Sequence, residues 1–397
     1  MIICKRTFFF DGFLLLFLID MLLSPLLAAL GLGMGLIDNP NYYMRYIYLI
    51  TFAWVLAFHI ILNKNVKFNI VSVAFAILMP IGMILGLIQG NFGKEFIVHI
   101  YTVIMPIFAM SFGWYFIEVY LLEPKIQLKM KRIFYMTLFT GIVATFIFRL
   151  GYVSGNAVYN AVGMWNYTMA MPYFLVTEAK VLFSALGLLG TIVAGKRIGI
   201  LVVIVYFLIY IILLKGNIIK KFKIILTIAL LSIVIIPVLL DADILNRIIY
   251  TFTQLFVEGD LESASAGRTS EIIAVFSYIS QYFGNFIFGS GFGSKVMVFE
   301  GFYRHYSHFT PLSYLLIGGV LLPLIVYLFF IKTGIMLLNK VNKKTLPKES
   351  WFFVLIFWGI LISSLTGAVL FNYTTLWIFI GCAWRLNTDS MNAKICT

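Results

Sequence analysis

The stretch IVSVAFAILMPIGMILGLI, residues 70–88, contains no charged side chain over 19 positions. A helix of about 20 residues crosses the hydrocarbon core of a bilayer. Lipid offers the backbone no hydrogen-bond partners, so a crossing segment must be a helix or belong to a closed barrel. Barrel strands would give short segments of alternating polarity, whereas this run is continuous. It therefore predicts a transmembrane helix.

Similar runs recur along the chain. The composition agrees with them, because 62% of the 397 residues are hydrophobic and 11% are charged, against about 25% charged residues in soluble domains. The sequence thus predicts an all-α polytopic membrane protein in contact with the lipid bilayer. The further apolar runs lie at about 8–30, 46–62, 96–122, 132–150, 198–214, 223–240, 309–331, 351–370 and 373–386.

The formal net charge of +13 does not indicate a nucleic-acid partner. The Lys and Arg residues lie mostly in short runs between apolar segments, which is the pattern that orients membrane proteins. Cys4, Cys382 and Cys396 lack metal-ligand spacing, so we expect no disulfide, no metal site and no cofactor. Asp11 and Asp20 interrupt the first apolar run, which we interpret as an uncleaved span and not as a signal peptide.

Four basic clusters are expected in the cytoplasm, and they decide how region 151–197 is divided. One span from Met171 to Ala194 would place the Lys215–Lys223 cluster outside. Two spans, at about 156–176 and 181–195, place every cluster inside. We predict two, with a tight cytoplasmic turn at Glu178–Lys180. The clusters are Lys5-Arg6, Lys125–Arg132, Lys215–Lys223 and Lys332–Lys348.

This choice gives about 12 spans with both termini in the cytoplasm. Residues 1–240 form an N-terminal bundle of about nine spans, and residues 309–397 form the C-terminal spans with a short cytoplasmic tail. Between them, residues 241–308 form a large helical loop on the outer face. In a bacterium this is the periplasmic face of the inner membrane.

Within the outer loop we expect two helices and a turn. Apolar residues over 244–255 recur at helical spacing, which predicts an amphipathic helix on the membrane surface or on the bundle. A second helix is expected from Thr269, where the side chain can cap free backbone N–H groups, and a turn at Gly289–Gly293. The second helix has a predicted buried stripe that consists of Ile272, Ile273, Phe276, Ile279 and Phe283.

The histidines His305 and His308 lie where the outer loop returns to the membrane. Neutral imidazole accepts protons near neutral pH, so either histidine can act as a base toward a sugar hydroxyl. The alternative is a satisfied polar residue at a membrane boundary. A metal site is not indicated, because no Cys or carboxylate cluster completes the pair. His59 and His99, within or at the ends of apolar runs, we interpret as structural.

Several arginines are predicted on the same outer face. Arginine contacts phosphate through a planar, bidentate fork, although arginines at span ends often contact only lipid headgroups. Lys196 and Arg197 lie there against the positive-inside trend, which favours an anionic ligand such as phosphate over charges merely tolerated in a short loop. Arg149, Arg268 and Arg304 complete the set.

These features resemble the bacterial O-antigen polymerase and O-antigen ligase superfamily, mainly over residues 150–330. The motifs that carry the resemblance are Gly195-Lys196-Arg197-Ile198-Gly199, Gly267-Arg268, the glycine loop at 289–293, Ser307-His308-Phe309-Thr310 before Gly318-Gly319, and Asn166 with Ala170. Lys196 stands where the family commonly has Ser, and Phe309 where an Asn often follows the His.

The resemblance implies a metal-independent, inverting glycosyl transfer in the periplasm. The donor would be a glycan on undecaprenyl pyrophosphate and the acceptor the next lipid-linked repeat unit, with a chain-length regulator as a further partner. His308 would be the base, and Arg197 and Arg268 would stabilise charge on the leaving diphosphate. The substrate-binding candidates are Arg149, Lys196, Arg304, His305 and Asn166.

Two other functions stay open at this point. A ligase would deliver the finished polymer to the lipid A core, and the acceptor alone distinguishes it from a polymerase. A transporter or flippase of lipid-linked saccharides would be expected to show internal repeats. We find no repeat in the sequence, which favours the enzyme.

Overall fold

The structure is a computed structural model. At some helix ends, including Arg149 and Arg197, only the backbone is described. Apart from residues 226, 253 and 254, the apolar run 223–240 and the predicted amphipathic helix over 244–255 lie outside the described ranges. Those ranges are 2–33, 36, 40–153, 162–178, 180–194, 197–213, 226, 253–254, 258–259, 268–299, 302–305, 307, 309–365, 367, 370 and 373–388.

The described chain is all-α apart from one two-stranded antiparallel ribbon. Short π-helical turns follow the first helix, at Ala29–Gly33, and the sixth, at Tyr173–Thr177. In chain order the elements are α1 (Ile2–Ala28), α2 (Pro40–Ile61), α3 (Ile70–Ile88), α4 (Lys94–Leu122), α5 (Pro124–Val153), α6 (Met164–Pro172), α7 (Val181–Val193), α8 (Arg197–Leu213), α9 (Arg268–Ile279), α10 (Phe283–Phe288), β1 (Val296–Phe299), β2 (Phe302–Arg304), α11 (Thr310–Gly318), α12 (Leu321–Asn342), α13 (Trp351–Ser364) and α14 (Thr374–Asn387).

Five described helices are long and apolar enough to cross a membrane, which makes a multi-pass membrane protein. They comprise parts or all of α1, α3, α4, α5 and α12. The chain turns near Glu178, as expected, but α6 with its π-helical turn covers 14 residues and α7 covers 13. Each is shorter than the roughly 20 residues of a full span.

The apolar run 309–331 is broken, contrary to the single continuous segment predicted. α11 ends at Gly318, and Gly319 has a positive φ of 64° before α12 begins. Glycine adopts this conformation without the steric penalty that a Cβ would bring. Hydropathy could not reveal the break, because Gly318 and Gly319 hardly change the mean hydropathy of the run 309–331.

The predicted buried stripe of α9 is correct only in part. Ile279 is buried and Ile272 is half-buried, whereas Ile273, Phe276 and Phe283 are exposed on the protein surface. An apolar face in a membrane protein packs on protein or meets lipid, and hydropathy does not distinguish the two.

One end of the bundle carries the described residues between 268 and 309, and we call it the loop end. There Lys295 Nζ lies 3.2 Å from Glu95 Oε2 in the first turn of α4. Nearby, Thr374 Oγ1 at the start of α14 donates a hydrogen bond of 3.2 Å to Tyr48 O and lies 2.9 Å from Tyr101 Oη. The starts of α2, α4 and α14 therefore meet at this end.

The other end, which we call the opposite end, is where α4 and α14 finish. Arg385 Nε lies 2.9 Å from Glu118 Oε1, and Lys131 Nζ lies 2.8 Å from Glu178 Oε1. Lys340 Nζ donates to Asn387 O at 2.7 Å. Many lysines project here from helix ends and turns.

The C-terminal helices complete the N-terminal bundle. α14 packs closely on α4, because a Cβ at Gly113 would lie 2.0 Å from Ile378 O and one at Gly381 would lie 2.1 Å from Met110 O. Aromatic side chains fill the neighbouring core; the rings of Phe13 and Phe112, for example, are 5.4 Å apart. This packing holds the helix starts at the loop end in fixed positions.

The glycine loop 289–293 inserts its backbone between two helices. Gly289, Gly291 and Gly293 have φ angles of +81°, +79° and +79°. A Cβ on Gly291 would lie 2.6 Å from Gly86 N of α3, and Phe292 N–H donates to Gly82 O at 2.8 Å. The turn expected here is thus also a close contact with the protein's own helices.

Candidate functional site

The carboxylate of Glu271 joins three segments at the loop end. Its side chain, in the first turn of α9, is 3% exposed. Oε1 accepts a hydrogen bond from Arg304 Nη1 at the end of β2, and Oε2 accepts one from Ser307 Oγ at 3.0 Å. Ser307 N–H in turn donates to Ser313 Oγ of α11 at 3.0 Å. A buried carboxylate is stable only with such partners, so it holds α9, the ribbon and α11 together.

Arg268 lies one helical turn before Glu271. Its guanidinium is 5.7 Å from the ring centroid of Phe309, a cation–π distance. Within the described ranges, no carboxylate contacts Arg268 at ion-pair distance. The predicted base, His308, lies outside the described residues, although both of its sequence neighbours take part in this network.

His99 of α4 connects the bundle to the loop segment through both ring nitrogens. Nδ1 accepts the N–H of Gly293 at 3.0 Å, so Nε2 carries the proton and donates to His305 O at 3.0 Å. The neutral ring satisfies both contacts at once. His99, interpreted from the sequence as structural, is therefore the residue that positions the backbone of His305.

His305 is half-buried and lies among charged groups from two helices and the loop. Burial lowers the pKa of its imidazole below the usual 6.5; Glu95 acts against this, and Lys295, Arg45 and Lys94 lower the pKa further. The imidazole is consequently neutral at neutral pH. Charged groups of both signs, from α2, α4 and the loop, therefore act on this imidazole.

For three further predicted site residues, Arg149, Lys196 and Arg197, the structure does not describe the side chains. Arg149 lies near the end of α5 and Arg197 at the start of α8, whereas Lys196 lies outside the described residues. The start of α8 lies beside that of α6, because a Cβ at Gly199 would lie 2.7 Å from Met164 Cγ. Trp165 links that region to the rest of the loop end, because its ring centroid is 6.2 Å from that of Tyr373.

Asn166 is buried inside the bundle. Its Nδ2 donates to Met21 O at 2.7 Å and to Thr137 O at 3.1 Å. These bonds join α6 to α1 and α5. Helix packing explains why an asparagine is buried at this position. Its contact with substrate stays a prediction.

Sequence reasoning missed four members of the site. They are Glu271, Arg45, Lys94 and Lys295. Their approach depends on folding that joins residues some 200 positions apart, as His99 and His305 do. A local signal existed for Glu271 alone, because an acid three positions after Arg268 shares its helix face.

The site offers cations, imidazole and hydroxyl groups, and the described part of the chain contains no group of three or more His, Cys, Asp or Glu arranged to hold a metal. Comparison of the chain with models of protein families, with curated proteins and with solved structures finds no significant match.

Proposed function

We propose that this protein is a membrane glycosyltransferase that polymerises a surface polysaccharide such as O-antigen. It would transfer a glycan chain from undecaprenyl pyrophosphate onto the next lipid-linked repeat unit. The observation that carries the proposal is the network at the loop end, where Arg268 lies one helical turn before the Glu271 carboxylate that binds Arg304 and Ser307, beside His305, whose backbone His99 holds. A site of this kind suits a phosphorylated substrate with a hydroxyl to be deprotonated.

In the proposed reaction, the acceptor hydroxyl oxygen attacks the anomeric carbon of the donor sugar. The bond from that carbon to the diphosphate oxygen breaks, and the base takes the hydroxyl proton. Cations stabilise the charge that develops on the departing diphosphate. A base near neutral pH typically contributes about 10²–10⁴ in rate.

We assign the following roles to the residues of the site. His308 is the proposed base, and His305 lies close by in sequence with an imidazole that is neutral at neutral pH. Arg268, with no carboxylate partner in the described ranges, is a cation for phosphate. Arg304 pairs with Glu271 and therefore positions the site. Arg149, Lys196 and Arg197 are further proposed phosphate contacts.

The proposed orientation places the loop end in the periplasm and both termini in the cytoplasm of a bacterial inner membrane. The lysine-rich opposite end supports this, because basic residues are enriched on the cytoplasmic side. A reporter fused after Ser265 should be active only in the periplasm. A cytoplasmic signal there would contradict both the orientation and the division of 151–197 into two spans.

The decisive cellular test is the lipopolysaccharide of a strain that lacks the protein. Lipid A core carrying a single repeat unit is the result expected for a lost polymerase. Unligated polymer on the lipid carrier would instead identify a ligase, which is the second candidate, since the two differ only in acceptor. Unchanged lipopolysaccharide would contradict both, and repeat units trapped on the cytoplasmic side would indicate a flippase.

A further inference from the structure

Between Glu271 and Lys295 the chain contains no charged residue over 23 positions, Ile272–Ser294. This stretch includes α9 after its first turn, all of α10 and the glycine loop. Uncharged segments that do not form one continuous span are typical of re-entrant or interfacial elements and of buried core helices. The contacts of the segment decide among these.

From the loop end, the segment extends along α11 and α3 toward the middle of the bundle. The apolar face of α9 packs along α11, where Val275 and Ile279 join a cluster with Leu316. α10 then lies against the middle of α3, where Phe288 and Leu78 line a shared apolar cavity of about 220 Å³.

That position corresponds to the interior of a bilayer. Leu78 precedes Gln89, the cap at the loop end of α3, by 11 residues. At 1.5 Å per residue this is about 16 Å along the helix. The hydrocarbon core of a bilayer is about 30 Å thick, so α10 lies near half its depth if α3 crosses the membrane.

The return path is non-helical backbone that is buried in protein. Ser290 N–H donates to Leu316 O at 2.8 Å, and the N–H groups of Phe292 and Gly293 are bonded to α3 and to His99. Non-helical backbone at membrane depth is tolerated only where the protein satisfies its polar groups. The glycine loop meets this condition.

The break between α11 and α12 is part of the same contact. Val320 N–H donates to Phe286 O of α10 at 2.9 Å, and a Cβ on Gly319 would lie 2.0 Å from Ile287 O. α10 therefore supplies a backbone acceptor where the helix is interrupted.

The outer surface of the segment is mainly apolar, with exposed Ser277, Ser280 and Gln281 at the end of α9, and at Phe288 it shares an apolar cavity with Ile77 of α3 and Leu321 of α12. Phe283 is 78% exposed, and Ile273 and Phe276 are also exposed. Exposed apolar patches of this extent mark contact with lipid or with another protein. The exposed apolar side chains of these two helices include Ile77 and Ile84 of α3 and Leu321, Leu324 and Leu328 of α12.

We propose that Ile272–Ser294 is a re-entrant element, which enters the hydrocarbon layer from the loop end and returns to the same face, with bilayer lipid covering its outer surface. Continuity with the apolar faces of α3 and α12 assigns that surface to lipid chains. Glu271 and Lys295 mark the points of entry and return. Arg268 and His305 consequently lie at the depth of the lipid headgroups, whatever reaction the site performs.

Spin-label depth measurements test this proposal. Phe276→Cys and Phe283→Cys are labelled in a protein that carries Ser at Cys4 and Cys396, since Cys382 is buried. The protein is placed in nanodiscs of phosphatidylcholine and phosphatidylglycerol. Tyr303→Cys, at an exposed site on β2, is the matched control. The replaced side chains are exposed, so each variant should fold; Ile273→Cys provides a third position on the same surface.

Collisions with oxygen, which concentrates in lipid, should exceed collisions with a water-soluble nickel chelate several-fold at positions 276 and 283. The order should be reversed at position 303. Nickel accessibility at 276 and 283 equal to that at 303 would show an aqueous loop and overturn the proposal. Low accessibility to both reagents would show a protein–protein seam, which would also overturn it.

Discussion

Two carboxylate–arginine pairs, one at each end of the bundle, are buried to nearly the same degree. At the loop end the side chains of Glu271 and Arg304 are 4% and 26% exposed. At the opposite end those of Glu118 and Arg385 are 26% and 5% exposed. Burial alone therefore does not distinguish the two pairs.

Their surroundings differ. Glu271 also binds Ser307 and so joins three segments that are distant in sequence. Arg385 instead lies over the ring of Trp114, at 4.6 Å, and donates to Thr388 at the end of its own helix. The opposite-end pair fastens two neighbouring helices, whereas the loop-end pair organises groups suited to chemistry.

The comparison shows that the role of a buried ion pair depends on which residues the pair holds in position. Replacing one partner of either pair leaves the other with a poorly compensated charge. A replacement at either end of the bundle should therefore lower the free energy of unfolding. Only the loop-end change should also remove activity. The predictions below test this difference, from the largest expected effect to the smallest.

Glu271→Gln should abolish polymer formation and reduce the free energy of unfolding by about 3 kcal/mol, because Arg304 loses its buried counter-charge. Glu118→Gln, its matched control, should reduce stability comparably and leave polymer made by the folded protein unchanged. Thermal unfolding in detergent and the polysaccharide ladder of complemented cells measure the two effects. Equal loss of polymer per folded molecule in both variants would remove the distinction between the ends.

Gly291→Ala should be the next most disruptive change. Its φ is positive, and a Cβ would lie 2.6 Å from backbone of α3, so strain of about 1–2 kcal/mol adds to overpacking of about 1–3 kcal/mol. Gly90→Ala has the positive φ without a close neighbour, and Gly284→Ala has neither.

The three unfolding temperatures should therefore fall in the order Gly284→Ala, Gly90→Ala, Gly291→Ala, with Gly291→Ala lowest. If Gly291→Ala were as stable as Gly284→Ala, the glycine loop would not be inserted against α3.

The sequence predicts the membrane-spanning helices better than it predicts the site. Hydropathy located α3 at residues 70–88 and α4 within two residues of its start, because a membrane span depends mainly on local composition. The orientation of α9 was partly mispredicted, since Ile273 and Phe276 face outward. The site required more: the bonds from His99 to Gly293 and to His305 O arise only when distant segments fold together.

Lys295→Ala should raise the pKa of His305. It removes a cation that lowers this pKa and leaves Glu95, which raises it, without its lysine partner. The wild-type pKa is lowered, so His305 contributes stability that is present above about pH 6.5 and is lost as pH falls below that value. The variant should lose less stability over this range.

NMR titration of the imidazole and unfolding temperatures between pH 5 and pH 8 check this prediction. Lys131→Ala at the opposite end is the control, and its His305 titration should match the wild type. An unchanged or lowered pKa in Lys295→Ala would show that Lys295 does not act on His305.

Lys131→Ala should also have the smallest effect on stability. The Lys131 side chain is 37% exposed and Glu178 keeps a second lysine, Lys180, at 3.6 Å, so the lost pair contributes about 0.2–1 kcal/mol. Polymer length should not change, because the residue is remote from the loop end. A loss of polymer in this variant would show that the opposite end also takes part in activity.

The central claim is that chemistry takes place at the loop end. It is tested most directly with purified protein in lipid vesicles, supplied with the lipid-diphosphate-linked repeat unit, by resolving the lengths of the glycan products. Arg268→Ala and His308→Ala should insert and fold yet make no polymer, whereas Lys343→Ala and Lys344→Ala should give the wild-type ladder. Wild-type chain lengths from His308→Ala, or equal losses from the lysine variants, would contradict the account.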